Sequence, residues 1–159
     1  MARPISANAQ ASLTLRRIFS APIEEVFDAW TKPEALVHWF RPVGFTVTAT
    51  EIDLRLGGKY LIVIQPANGA EIRHFGEYTE ISPPERLAFT WKIENQACGG
   101  SANQCAETLV SIDFRRAGQS TEVRLTHEHL PNKAAYDGHK FGWNSTFDCL
   151  EEFVLTKLR

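Results

Sequence analysis

Hydrophobic positions recur along the chain with two different periods, and each change of period marks a change of predicted structure. Apolar and polar residues alternate in 13–19 and again from 45 to 127, as in β-strands with one buried face. Between these stretches, residues 23–39 carry apolar side chains at helical spacing. Helical spacing returns in 136–158, where a stripe of aromatic and aliphatic side chains, Phe141 among them, predicts a long final helix.

Interruptions of these patterns separate the individual elements. Pro33 divides the first helical stretch, so two short helices are predicted, with Ser20 as the N-cap of the first. Turn residues divide the second alternating stretch into six strands, at 45–53, 59–65, 72–81, 87–94, 110–114 and 123–127. Short links between consecutive strands favour an antiparallel meander.

The strand before the Pro83-Pro84 turn has two alternative registers, because such turns vary in length. In one register Phe75 and Glu77 face inward. In the other the inward side chains are His74 and Tyr78. The sequence leaves both registers open.

Length and composition indicate a single globular domain, at 12–159, after a flexible tail at 1–11. The net charge of −2 offers no basic excess, so neither nucleic acid nor a membrane is expected as a partner. No leader-like or membrane-spanning apolar run is present, which makes the cytoplasm the expected location. Four Trp and ten Phe against one Met predict a core of large rigid rings, which also suit a pocket lining.

Glycine and cysteine pairs supply two further expectations. Gly57-Gly58 is predicted to be a hairpin turn, since no Gly-Lys-Ser/Thr follows it as in a phosphate loop. Asp53 and Arg55 flank this turn and can form an ion pair across it. Cys98 and Cys105 bracket part of a polar loop at 96–105 and could meet in a hairpin, although free thiols are expected in the cytoplasm. Cys149 is predicted to be a small core residue.

Four separated motifs occur in an order that resembles a known superfamily. They are Trp-Phe-x-Pro at 39–42, Asp-Leu-Arg-Leu-Gly-Gly at 53–58, Gly-x-Tyr-x-Glu-Ile-x-Pro-Pro-Glu-Arg-Leu at 76–87, and Gly-Trp at 142–143. Together they resemble the START-like (SRPBCC) superfamily over residues 13–158. Within it, the chain is similar to bacterial relatives of the activator of heat-shock protein 90 ATPase.

This resemblance implies an α+β helix-grip fold. A curved antiparallel sheet of six to seven strands would wrap around the long C-terminal helix, with two short helices after the first strand. Members of the superfamily bind apolar ligands between sheet and helix, act as polyketide cyclases or aromatases, or serve as co-chaperones. The motifs themselves build turns and walls, so they do not choose among these roles.

An apolar cavity between the inner sheet face and the final helix is therefore expected, with its mouth near residues 39–45. Its predicted ligand-binding residues are Trp39, Phe40, Phe45, Tyr60, Tyr78, Phe89, Trp91, Ile112, His127, His139, Trp143 and Phe147.

Histidines supply the candidate polar groups of this cavity. Alternation places His127 and His129 on the inner face, and His139 lies near them at the start of the final helix. These three could converge with Glu77 or Glu80. No His-Glu-x-x-His spacing is present, so neither a metal nor another cofactor is expected. His127 is interpreted either as a polar anchor or acid/base group, or as a residue that satisfies its neighbours.

The leading hypothesis is a protein that binds a small apolar or aromatic molecule. An alternative is a cyclase-like or hydrolase-like enzyme that uses His127, Glu77 or Tyr78 for proton transfer in the same cavity. Neither a Gly-x-Ser-x-Gly nucleophile turn nor a dinucleotide fingerprint is present, so catalysis is the less favoured hypothesis. Stimulation of a chaperone ATPase rests on the resemblance alone. The first strand could leave an exposed edge, so a homodimer is left open.

Overall fold

A computed structural model describes residues 11–94 and 107–157. The predictions for the tail before residue 11, for the loop at 96–105 and for Cys98 and Cys105 lie outside the described residues. The elements in chain order are β1 Ala11–Phe19, α1 Ile23–Thr31, α2 Pro33–Trp39, β2 Phe45–Ile52, β3 Lys59–Pro66, β4 Ile72–Ser82, β5 Arg86–Glu94, β6 Thr108–Ala117, β7 Ser120–Leu130 and α3 Lys133–Lys157.

The described strands form a seven-stranded antiparallel sheet in the order β1-β7-β6-β5-β4-β3-β2. Strands β2 to β7 follow one another as neighbours, so the predicted meander is confirmed, and β1 joins it beside β7. Helix α3 packs against β1, β7 and α2, on the side of the sheet that carries the core. The predicted α+β helix-grip fold is confirmed. Strands β1 and β2 are the two edges of this sheet. An edge strand can pair with another chain, and pairing of β1 with a second copy stays a prediction.

Alternation along the strands determines which side chains enter the core. On β5, Phe89 and Trp91 are buried, and on β6 Ile112 is fully buried. On β4, His74 and Tyr78 are the inward residues, which decides between the two registers left open by the sequence.

The two carboxylates of β4 lie away from the core. Glu77 and Glu80 are exposed, and Phe75 is half-buried. The expectation that Glu77 or Glu80 converges with the histidines was therefore wrong.

The N-termini of helices α1 and α3 differ from the predictions. Helix α1 begins at Ile23 after Pro22 in an extended conformation, and no side chain caps it, so the prediction of Ser20 as N-cap was wrong. Helix α3 begins at Lys133, three residues earlier than predicted, because the Asn132 side chain accepts a hydrogen bond from the Ala135 N–H at 2.8 Å.

One face of α3 carries its core residues. Trp143, Phe147, Leu150 and Val154 are all buried. Phe141, which was predicted to lie on the same stripe, is 76% exposed, because two residues before Trp143 is nearly the opposite side of a helix. Cys149 is buried, as predicted for a small core residue. None of the described helices is both long and apolar enough to cross a membrane.

The glycine turn between β2 and β3 has the predicted positive φ, at 76° for Gly57. The Arg55 Nε and Asp53 Oδ2 atoms are 2.8 Å apart in an exposed ion pair. The turn also docks on β4, since the Gly57 N–H donates to the Tyr78 carbonyl and the Tyr78 N–H donates to the Gly58 carbonyl, at 2.9 and 3.0 Å. The turn therefore holds the backbone of Tyr78 in place.

Candidate functional site

An apolar cavity lies where the two short helices meet strands β2 to β5. Its volume is about 10 Å³, enough for about one water molecule. Aromatic and aliphatic side chains form its wall, namely Trp30, Leu36, Phe40, Ile52, Tyr60, Ile62, Tyr78 and Phe89.

Tyr60 forms one wall of the cavity, above the point where β4 and β5 approach each other closely. Its ring lies on β3 opposite Gly76, and its hydroxyl donates to the Thr90 carbonyl on β5 at 2.6 Å. A Cβ at Gly76 would collide with that carbonyl oxygen. The Glu77 N–H donates to the Thr90 hydroxyl at 2.9 Å. The glycine of the Gly-x-Tyr motif is thus needed so that β4 and β5 can approach closely beneath the Tyr60 ring.

The two tyrosines of the cavity stay neutral phenols. Burial, followed by the charges of Tyr78 and Glu107, raises the pKa of Tyr60 well above its usual value. Burial likewise raises the pKa of Tyr78. The rings of Tyr60 and Tyr78 lie 5.7 Å apart, and both contact Phe89. This side of the cavity therefore offers aromatic surface and no charge.

Next to the cavity lies a second buried group, here called the indole–imidazole cluster, made of His74, Trp91, Thr108, His127, His139 and Trp143. Phe40 joins the two regions, since it borders the cavity and its ring lies 6.1 Å from Trp91 and 5.8 Å from Trp143. The rings of His127 and His139 are 4.6 Å apart, and those of Trp91 and Trp143 are 5.0 Å apart. These rings lie between α3 and the middle of the sheet.

His127 is fully buried and has a partner at each ring nitrogen. The Trp143 indole N–H donates to its Nδ1 at 3.1 Å. The Thr108 hydroxyl donates to the Trp91 carbonyl at 3.2 Å, so its oxygen accepts from His127 Nε2 at 2.7 Å. These bonds assign the neutral Nε2–H tautomer. Burial, and then the nearby charge of His139, lowers the pKa of His127 well below its usual value.

His139 is held neutral in the opposite tautomer. The Trp91 indole N–H donates to its Nε2 at 3.2 Å, and its Nδ1–H donates to the Ala135 carbonyl at 2.8 Å. Burial lowers the pKa of His139, and the bond to Ala135 opposes this shift. Each indole N–H of the cluster thus faces an imidazole nitrogen that must stay unprotonated.

His74 is the least satisfied member of the cluster. It is buried, its ring lies 4.9 Å from that of Trp91, and its Nδ1 has no hydrogen-bond partner among the described residues. Burial lowers the pKa of His74 to about 4, although a hydrogen bond to the backbone of Ile62 acts against this.

The predicted ligand-binding residues divide among several places. Phe40, Tyr60, Tyr78 and Phe89 border the cavity. Trp91, His127, His139 and Trp143 belong to the indole–imidazole cluster. Ile112 and Phe147 are core residues, Trp39 is buried with its indole N–H donating to the Ala29 carbonyl at 2.9 Å, and Phe45 is half-buried at the start of β2.

Sequence reasoning missed four residues that border the cavity. Trp30 and Leu36 lie in the helical stretch at 23–39, and Ile52 and Ile62 lie in the strands predicted at 45–53 and 59–65. None of the four was assigned to a site. Their spacing showed which face of each element is buried. It contained no signal for how α1 and α2 dock against β2 and β3, and that docking creates the cavity.

His129 does not lie on the inner face, and the prediction that it does was wrong. Its φ of 69° and the register shift between Ala11 and Leu13 on the paired strand break the alternation, so Leu130 is buried and His129 is exposed. Within residues 11–94 and 107–157, no group of His, Cys, Asp or Glu side chains is arranged to hold a metal ion.

A wider surface groove of about 470 Å³ lies between the β1–α1 turn and the β6–β7 hairpin. Its Arg116–Glu24 ion pair has an N–O distance of 2.9 Å, with both side chains more than half exposed. Exposed ion pairs contribute little and select weakly. The apolar cavity is therefore the better candidate site.

A seven-stranded antiparallel sheet, a long C-terminal helix and an aromatic interior between them define a helix-grip protein. The model of the family described as "Activator of Hsp90 ATPase homolog 1-like protein" matches residues 20–154. The chain belongs to this family. No curated protein gives a significant match.

Solved structures support the same assignment. A protein of this family from Silicibacter pomeroyi is 25% identical with a TM-score of 0.80, and the match covers 92% of this chain and 99% of that one. A protein from Chromobacterium violaceum is 26% identical with a TM-score of 0.79, covering 90% of this chain and 96% of the other. A protein from Staphylococcus epidermidis is 26% identical with a TM-score of 0.75, covering 100% and 96%.

Proposed function

We propose that the protein binds a small, largely apolar molecule in the cavity between the short helices and strands β2 to β5. The composition of the cavity wall carries the proposal, because every described residue that borders the cavity is aromatic or aliphatic. Ligand sites are lined mainly by such residues, with few polar groups to orient the ligand. Membership of a ligand-binding superfamily agrees with this function.

The small volume of the cavity means that its wall must move when a ligand enters. A space of about 10 Å³ holds no organic molecule, so binding requires rearrangement of the lining side chains. Leu36 and Phe40 lie on α2 and at its C-cap, and this helix has only seven residues. Ile52, at the end of β2, is half-buried, whereas the other described residues that border the cavity are buried. We therefore assign the entry route to the side between α2 and the end of β2.

The test is a thermal-shift screen with fatty acids, aromatic hydrocarbons and polyketide-like phenols, performed on the parent protein and two matched variants. Ile52→Trp places a larger side chain at the cavity. Ile81→Trp makes the same change at another half-buried isoleucine, which does not border the cavity. The melting temperature of the parent and of Ile81→Trp should rise with ligand, whereas that of Ile52→Trp should not. If no apolar compound stabilises the parent protein, the proposal fails.

The enzymatic alternative receives less support from the geometry. His127 has both nitrogens engaged in a fully buried, neutral ring, and Glu77 lies on the outer face. Tyr78 borders the cavity, but burial raises its pKa away from values suited to proton transfer near neutrality. These candidates do not converge on one substrate position.

A further inference from the structure

We infer that the indole N–H of Trp30 is the polar anchor of this cavity, and that the ligand is a neutral apolar molecule carrying a hydrogen-bond acceptor, such as a ketone, ester or ether oxygen. This inference rests on the proposed function and adds the ligand class to it.

The starting point is the contrast among the four tryptophans. Trp39 donates to the Ala29 carbonyl, Trp91 to His139 and Trp143 to His127, at distances of 2.9 to 3.2 Å. The Nε1 of Trp30 is buried and has no partner among the described residues, although the side chain is only 3% exposed. An unpaired buried donor costs about 1–3 kcal/mol, so such a group calls for an explanation.

The surroundings of Trp30 indicate where a partner would have to be. Its ring lies among five other aromatic rings, with centroids 4.7 to 6.5 Å away, namely those of Trp39, Phe40, Phe114, Trp143 and Phe147. Ring faces are weak acceptors. Among the described residues, Trp30 borders the unfilled space of the cavity. An acceptor for this N–H therefore enters with the occupant of the cavity.

The other polar groups of the wall narrow the class of ligand. The hydroxyl of Tyr60 is already donated to the Thr90 carbonyl, and the hydroxyl of Tyr78 can also donate to an acceptor. No cationic side chain of the described residues borders the cavity. An indole N–H is a donor only, so it selects an acceptor. A carboxylate would be buried here without a counter-ion, at a high desolvation cost. A neutral carbonyl or ether oxygen satisfies the N–H at no such cost.

The experiment compares cyclohexanone and its larger ring homologues with the methylenecycloalkanes of the same ring size, which replace the oxygen by a methylene group. Dissociation constants are measured by thermal shift and tryptophan fluorescence for the parent, Trp30→Phe and Trp39→Phe. Trp39→Phe is the matched control, because it removes an indole N–H that is already paired and does not border the cavity. Indole N–H signals are followed in parallel by two-dimensional ¹H–¹⁵N NMR of the parent protein, with the Trp30 signal assigned in the parent from its nuclear Overhauser contacts to neighbouring rings.

The parent should prefer the ketone, and Trp30→Phe should lower the ratio of ketone to methylene affinity about threefold to tenfold, the range of one net hydrogen bond. Trp39→Phe should keep the ratio. In the parent, the Trp30 indole signal should move downfield with the ketone and not with the methylene analogue. This NMR result stands even if Trp30→Phe folds poorly.

Two kinds of failure are distinguishable. Suppose that both series bind, but that the ratio of ketone to methylene affinity is unchanged in Trp30→Phe or the Trp30 signal does not move with a bound ketone. The cavity then binds ligands, and the assignment of the Trp30 N–H as the anchor is wrong. If no member of either series, and no compound of the wider screen, binds the parent, the proposed function and this inference fail together.

Discussion

The interior contains two neighbouring regions built from the same kinds of residue, with Phe40 in contact with both. In the indole–imidazole cluster, the indole N–H groups of Trp91 and Trp143 donate to imidazole nitrogens. At the cavity, which Trp30 borders, a small void remains, and the Trp30 N–H has no partner among residues 11–94 and 107–157. These bonds fix the tautomers and orientations of the His127 and His139 rings, although His74 Nδ1 has no partner among the described residues. The second region has the two features that a binding site needs, which are unfilled apolar space and an unpaired donor.

The largest effect expected from this difference is a loss of stability in mild acid. His74, His127 and His139 have pKa values lowered by burial, that of His74 from 6.5 to about 4. Between pH 6.5 and 4 the unfolded chain therefore binds protons that the folded protein does not. The free energy of unfolding is highest above pH 6.5 and falls as the pH drops toward 4. For His74 the slope approaches about 1.4 kcal/mol per pH unit within this window, and the lowered pKa values of His127 and His139 add to it in the same direction.

Urea unfolding at several pH values between 7 and 4.5 measures this slope. His74→Leu removes one of the three histidines and should make the slope smaller. A free energy of unfolding that stays constant over this range would contradict the neutral, buried state of the cluster.

A smaller but sharper contrast is expected between two histidine substitutions. His127→Leu leaves the Trp143 N–H and the Thr108 hydroxyl without their partner in the core, so the free energy of unfolding should fall by about 2–5 kcal/mol. His74→Leu removes a ring whose Nδ1 is already unpaired, and should cost less than about 1.5 kcal/mol. Urea unfolding at pH 7.5 compares the two, and equal losses would mean that the bonds to His127 contribute nothing specific.

Periodicity along the chain predicts most of the fold and part of the site. Trp91 and Ile112 were placed inward correctly, because the side chains of a strand alternate strictly wherever one face is buried. His129 was misplaced because a residue with positive φ breaks the alternation, and nothing in its neighbours signals that. Trp30 was recognised as an apolar helix position, but its unpaired N–H depends on which groups three other elements bring near it. Pairing of buried donors is a tertiary property, so the difference between the two regions could not be predicted from spacing.

The smallest expected effect concerns the two tyrosines that share the cavity wall. Tyr60→Phe removes the donor to the Thr90 carbonyl, at the position where Gly76 lets β4 and β5 approach, so the free energy of unfolding should fall by about 1–2 kcal/mol. Tyr78→Phe is the matched control, because its hydroxyl has no hydrogen-bond partner among the described residues, and it should change stability little. Urea unfolding measures both. If the two substitutions cost the same, the Tyr60 hydroxyl is not what secures this wall. The cavity wall would then depend on ring packing alone. The Tyr60 hydroxyl, like that of Tyr78, would be free to bind the ligand together with the Trp30 N–H.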